Sequence, residues 1–323
     1  MTCQRCHHTT VKKFGTYGER RIQRYRCHNC STTFSASGPK IARHLISLDR
    51  AAQVIRLMVG GMSIRAISRI TNTDQNTIMS LPLTVGEKCR CIFNAKIRGV
   101  KSHYVELDEL WCSVHTKEKS LHADDPSEWG DAYTWIGLDA EAKLIISYLV
   151  AKRDGPSALE FVTDLSKRVT GRLQVTSDAF RPYIGAMEEC FGADLDFAQL
   201  IKVYGKPENA GPDWYGPPKV TETVPTPVSG NPDLAHISTS FVEGSNLNVR
   251  MHLRHSTRLT NAFSKKLSHL KAAVDICMTW YNFCRVHQPL RVTPAMEAGI
   301  TDHIWSVAEL VGFGEAAKAA QWK

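Results

Sequence analysis

Apolar positions recur at helical spacing from Leu48 to Val59, where Ala51, Ala52, Ile55, Met58 and Val59 share one face. Gly60-Gly61 stops this helix. Ser63 caps a second one, in which Ile64, Ile67 and Ile70 stand three apart. Thr71-Asn72-Thr73 makes a turn, and Asp74 opens a third helix through Ile78, which Pro82 is expected to end or kink. The pattern then changes. Strands are predicted over Tyr104–Trp111, Tyr133–Leu138, Leu144–Val150, Leu173–Ser177 and Gln199–Tyr204, with a helix over about 157–169 between the third and fourth. The end of the chain, about 240–313, reads as helical. Gly205 to Pro232 holds seven of the fourteen prolines and is expected to form no regular element.

These patterns divide 323 residues into segments at 1–37, 40–98 and 103–313, with a proline-rich insertion at 205–235. A hydrophobic fraction of 43% is ordinary for a chain that buries a core. There is no apolar run of 18 residues, so no membrane partner is expected. The opening Met1-Thr2-Cys3-Gln4-Arg5-Cys6 does not resemble a signal peptide, and a reducing cytoplasm is the expected location. Net charge is +8, unevenly spread. Met1 to Val100 has 17 Lys and Arg against 4 Asp and Glu, which leaves the remainder at −5. A basic front on an acidic body points to nucleic acid at the front, against the plainer reading of a solvated basic surface.

Cys3-x-x-Cys6 and Cys27-x-x-Cys30 lie twenty residues apart, near the upper edge of zinc-site spacing. Four thiolates can complete a tetrahedron around one structural Zn²⁺. The alternating Arg20–Arg26 run leads into the second pair as a ribbon strand would. A redox pair, or a site in which His7, His8 or His28 replaces a thiolate, remains an alternative at this level. Helix, tight turn and helix after the ribbon match a major-groove reader. Gln75, Asn76 and Thr77 would then sit where bases are read, with Ser63 and Arg65 of the preceding helix also expected to bind DNA. A plain three-helix core is the competing reading.

Tyr104 to Trp111 carries three acids on an apolar strand, an expensive arrangement unless they bind something. Glu106 and Asp108 share one face and Glu109 points away, so periodicity does not choose between the first two. Asp178 follows the Leu173–Ser177 strand, where it also suits a turn. Glu243 begins a long helix, where Ser240-x-x-Glu243 also reads as a capping box. Gly244 to Lys271 holds six basic residues and no acid, Arg250, Arg254 and Arg258 among them, and reads as a phosphate track along the helix. Trp280, Tyr281 and Phe283 are expected in the core.

Several strings resemble the DDE transposases of bacterial insertion sequences, most closely the first-numbered insertion-sequence family. They are Asp108-Glu-Leu-Trp111, Thr176-Ser-Asp178-Ala-Phe-Arg-Pro-Tyr183, Ser229-Gly-Asn-Pro-Asp233 and His236-Ile-Ser-Thr-Ser-Phe-Val-Glu243. Asn246-Leu-Asn-Val-Arg250, Thr257–Lys266, Trp280-Tyr-Asn-Phe283 and Leu290-Arg-Val-Thr-Pro294 extend the likeness over nearly the whole chain. Ala179, where the family often has glycine, and Gly244-Ser245, where it tends to have a charged or amide pair, depart from it.

The resemblance implies a multidomain α/β protein: zinc ribbon, helix-turn-helix, then a ribonuclease-H-like mixed-sheet core with C-terminal helices. It implies Asp108, Asp178 and Glu243 as a catalytic triad holding two Mg²⁺ or Mn²⁺, with Arg250 two helical turns beyond Glu243 and Asn246 on the same side, both read as DNA contacts. It further implies metal-dependent cleavage and strand transfer on double-stranded DNA, both terminal repeats and target. Pairing two DNA ends implies a homodimer or larger assembly, in the cytoplasm beside the nucleoid. The rival readings are a non-catalytic regulator that uses the same ribbon and helix-turn-helix, a structural role in which the acids only cap helices and turns, and a nuclease or junction resolvase on the same core.

Overall fold

The computed structural model describes residues 3, 5–6, 8–17, 22–35, 46–205, 220–257 and 262–312. Strands β1 (Val11–Tyr17), β2 (Ile22–Cys27) and β3 (Thr33–Ser35) form a small antiparallel sheet in that order. Among the described residues its core is Cys3, Cys27 and Phe34, with Cys6, Val11, Tyr25 and Cys30 against them. A core this small gains stability from a cross-link.

Helix α1 (Leu48–Val59) starts at Ser47, whose side chain accepts from Arg50 N. Helix α2 (Ile64–Thr71) starts at Ser63 in the same way and ends on Asn72 in the left-handed conformation. Helix α3 (Gln75–Lys96) is capped by Asp74, which accepts from Asn76 N and Thr77 N. It neither stops after Ile78 nor breaks at Pro82, contrary to the reading of its proline. Pro82 costs about 3 kcal/mol in a helix interior. Ile78, Leu81, Val85 and Cys89 bury on both sides of it, in one cluster with α1 and Ile276, Val307 and Val311, and this packing outweighs the lost bond. Gly86 permits the close crossing, since a Cβ there would lie 2.8 Å from Ala272 Cα.

Short strands β4 (Val100–Lys101) and β8 (Val169–Thr170) pair in parallel. The main sheet contains β5 (Tyr104–Val114), β6 (Gly130–Asp139), β7 (Ile145–Ala151), β9 (Leu173–Ser177), β10 (Leu195–Tyr204) and β11 (Val220–Ser229). Its order is β11-β10-β9-β5-β6-β7. β5, β6 and β7 form an antiparallel meander, while β9 runs parallel to both β5 and β10. Helices α4 (Gly155–Ser166) and α5 (Pro182–Phe191) connect into β9 and β10. Helices α6 (Ser240–His252), α7 (Leu267–Phe283), α8 (Pro294–Glu297) and α9 (Val307–Gly312) follow. Trp135, Phe161, Phe197 and Phe283 fill the core beneath, and Tyr281 is buried as expected. The result is a mixed α/β architecture around one mixed sheet.

β11 corrects the expectation for the proline-rich stretch. Val220–Ser229 pairs antiparallel with β10 through Pro225 and Pro227. It is the edge strand, where a missing N–H faces no neighbour and costs nothing. Positions 206–219 lie outside the described residues. Among the described residues no helix is long and apolar enough to cross a membrane.

Candidate metal and nucleic-acid sites

Sγ atoms of Cys3, Cys6, Cys27 and Cys30 all lie within 4.8 Å of one another. Cys3–Cys30 and Cys6–Cys27 are each 3.5 Å apart, too far for a disulfide bond of about 2.0 Å. A tetrahedron with Zn–S bonds of about 2.3 Å has edges of about 3.8 Å, close to this spacing. Backbone N–H groups already turn toward the sulfurs: Arg5 N lies 3.4 Å from Cys3 Sγ. Hydrogen bonds from Thr32 pull the Cys30 thiol down to about 6. The cluster fits one zinc ion held by the four predicted cysteines. His8 Nδ1 is instead taken by Thr10 N at 3.2 Å.

The second cluster is acidic. Carboxylates of Asp108, Glu109 and Asp178 lie within 4.8 Å of one another. Register explains the first pairing: Glu106 sits beside Thr176, so Asp108 and Asp178 come level two residues on. Glu109 was expected to point away. Its side chain does lie on the other face of β5, where Tyr183 of α5 donates to its Oε1. However, β9 ends at Ser177, so nothing separates the two faces at this point. Arg153 spans the gap, donating to Glu109 Oε2 at 2.9 Å and to Asp178 Oδ2 at 2.7 Å. Its guanidinium also lies 4.0 Å from the centre of the Phe180 ring. Asp178 Oδ1 accepts from Phe180 N at 3.0 Å, so the turn role read for Asp178 coexists with its place in the cluster.

Burial, then the charges of Asp178 and Glu243, push the Asp108 carboxyl up to about 6. Burial, then Asp178, pushes Glu109 up to about 7 despite Arg153 and Tyr183. Crowded carboxylates of this kind are relieved by a hard divalent cation, for which all-oxygen donors are suited. Asn246 Oδ1 is buried beside them with no hydrogen-bond partner, an acceptor the local fold leaves open.

Glu243 stands outside the 4.8 Å cluster. It accepts from Lys202 Nζ of β10 and from Thr239 Oγ1, the latter at 2.5 Å. The capping box starting at Ser240 does not form, because Thr239 is the N-cap and Ser240 is already helical. Asn246, read as a DNA contact, is only 7% exposed and turns inward, donating to Asp108 Oδ2 at 2.6 Å. Glu106 faces the same helix and accepts from Val242 N at 2.8 Å. Sequence pattern carried no signal for Arg153 or Lys202, which come from a loop and from a distant strand. Tyr183 lay within a quoted string, without an assigned role.

Among the expected DNA contacts, Arg65, Gln75 and Asn76 are exposed and Thr77 is half-buried at the start of α3. The Ser63 hydroxyl is engaged by Ala66 N at 3.2 Å. Arg250 is half-buried and donates to Ser256 O at 3.0 Å. Arg254 does not continue the α6 stripe: the helix ends at His252, and Arg254 lies exposed in a 3₁₀ turn. Arg258 lies outside the described residues.

No family profile matches the chain, and no curated protein matches it. Among solved structures, the cryo-EM structure of a piggyBac transposase synaptic complex with hairpin DNA is similar over 82% of this chain and 69% of that one. Identity is 12% and the TM-score is 0.37.

Proposed function

We propose that this protein is a DDE transposase of the insertion-sequence kind, in which a ribonuclease-H-like domain (103–313) follows a zinc ribbon (1–37) and a helix-turn-helix (40–98). The observation that carries the reading is the meeting of Asp108, Glu109 and Asp178 at the end of β9, with α6 hydrogen-bonded to Asp108. The strings that resemble the family supply Asp108, Asp178 and Glu243 as the triad. The geometry adds Glu109 as a neighbour and leaves Glu243 to be drawn in from Lys202.

Two Mg²⁺ or Mn²⁺ ions held by these carboxylates would activate the attacking oxygen and stabilise the leaving 3′ oxygen of an in-line phosphoryl transfer. The chain's own groups do the rest. Asp108 and Asp178 present oxygens from adjacent strands. Arg153 and Lys202 neutralise the acids before cations are bound, and each is then free to meet a phosphate. Gln75, Asn76 and Thr77 read the terminal repeat in the major groove, and Arg65 and Arg254 contact phosphates. Arg250 braces the turn after α6 through Ser256.

The test uses a labelled DNA end of the flanking element, with Mg²⁺ or with chelator, resolved on a denaturing gel. Mg²⁺-dependent nicking and joining are expected, lost by at least 100-fold in Asp108→Ala and Glu243→Ala with end binding kept within about twofold. Nicked or joined product from Asp108→Ala at wild-type rate would refute the reading.

A further inference from the structure

Two polar contacts join β5 to α6, one on each side of Glu243. Glu106 on the strand, 3% exposed, accepts from Val242 N at 2.8 Å. Asn246 on the helix, 7% exposed, donates to Asp108 Oδ2 at 2.6 Å. The first contact thus falls one residue before Glu243 and the second three residues after it. On the strand, the two partners are Glu106 and Asp108, neighbours on one face.

Neither contact is needed merely to fill space. A helix start leaves orphan N–H groups that a cap side chain normally serves, yet Thr239 makes no side-chain bond to the helix start. Glu106 serves Val242 N from a different element, and Lys143 supplies an opposing charge. Burying a carboxylate is costly, and a serine or aspartate at the cap would close the helix more cheaply. What the strand carboxylate does that a local cap does not is tie the helix to the strand bearing Asp108. Asn246 repeats the tie one turn later.

We infer that Glu106 and Asn246 are positioning residues: they hold α6 in one register on β5 and so set where Glu243 stands relative to Asp108. The inference rests on the reading of Asp108, Asp178 and Glu243 as the metal triad. With both ties in place, Glu243 needs to exchange Lys202 and the Thr239 hydroxyl for a cation. With either tie lost, α6 can slide or rotate and the two carboxylates no longer meet one ion.

The experiment is Mn²⁺ titration of the full chain, followed by electron paramagnetic resonance, in the wild type and in Glu106→Gln, Glu106→Leu and Asn246→Leu. A glutamine oxygen still accepts from Val242 N, so Glu106→Gln should stay within about threefold of wild-type affinity. Glu106→Leu and Asn246→Leu should each weaken Mn²⁺ binding at least tenfold, and raise the Mg²⁺ needed for half-maximal cleavage alike. Hydrogen exchange of the metal-free proteins provides a second measurement: α6 amides should exchange faster in Glu106→Leu than in Glu106→Gln, with β9 and α7 unchanged. Leucine variants that bind Mn²⁺ like the wild type would overturn the positioning role. Wild-type protein that takes up no Mn²⁺ would overturn the metal reading itself, and the positioning role with it.

Discussion

Asp108 and Glu109 are consecutive on β5, yet their carboxylates share one cluster. Alternation along a strand puts Glu106 and Asp108 on one face without choosing between them, and from the face alone it leaves Glu109 out of the cluster. It fails because it assumes a continuous sheet, whereas β9 stops at Ser177 and opens the gap that Arg153 fills. Asp178 was legible as the acid just past a strand. Arg153 and Lys202 were not, since their roles depend on three-dimensional proximity to acids 25 and 41 residues away. The raised carboxyls give a prediction about pH. Asp108 and Glu109 titrate above the usual carboxylate range, at about 6 and about 7, so the folded state holds their protons more tightly than the unfolded state. Their contribution is therefore present below about pH 4 and is lost as pH rises through 6 to 7. In chelator at pH 8, Asp108→Asn should be more stable than the wild type by about 1–3 kcal/mol in urea unfolding, with the advantage shrinking toward pH 4. An Asp108→Asn protein less stable than the wild type at pH 8 would show that the carboxylate is not under strain.

At the scale of elements, helix starts were the best-read features. Ser63 and Asp74 cap α2 and α3 as their types suggest. Three prolines misled for the same reason: a local rule met a tertiary context. Pro82 is carried by the packing on either side of it, and Pro225 and Pro227 fall on an edge that asks for no donor. Ser240 misled differently, because the cap lies one residue earlier and the strand supplies the acceptor. The sheet of β1 to β3 makes a separate claim about stability. With a core of three residues among those described, it would depend on a zinc cross-link through the four cysteines. Cys6→Ser, or zinc removal by a strong chelator, should abolish zinc content and the exchange protection of Val11–Tyr17 and Ile22–Cys27. All seven tryptophans lie at or beyond Trp111, so the tryptophan-reported unfolding midpoint should not move. A protein with no bound zinc and fully protected β1–β2 amides would contradict the assignment.

Across the whole molecule, the uneven charge first read from composition divides along structural lines. The basic front contains the cysteine cluster and α1 to α3, and the acidic remainder contains the carboxylate cluster. The two are not separate in packing. Helices α1 and α3 share a cluster with α7 and α9, and His252 at the end of α6 meets Val59 O at the end of α1, 2.7 Å away. Gly61 makes room there: a side chain would bring its Cβ 2.6 Å from Met251 O, at a φ of +76°. The helix that carries Glu243 thus ends against the turn that leads into α2, so the packing fixes α1 to α3 relative to the carboxylates. That layout was not legible in the sequence, because it depends on helices more than 170 residues apart.

Under the proposed reading these carboxylates would place a divalent cation on the scissile phosphate. The decisive measurement is sulfur substitution at that phosphate. With one non-bridging oxygen replaced by sulfur, cleavage should fall at least tenfold in Mg²⁺ and return in Mn²⁺, which accepts the softer ligand. Equal cleavage of the sulfur-bearing and normal ends in Mg²⁺ for both diastereomers, or cleavage that persists in chelator, would contradict the account.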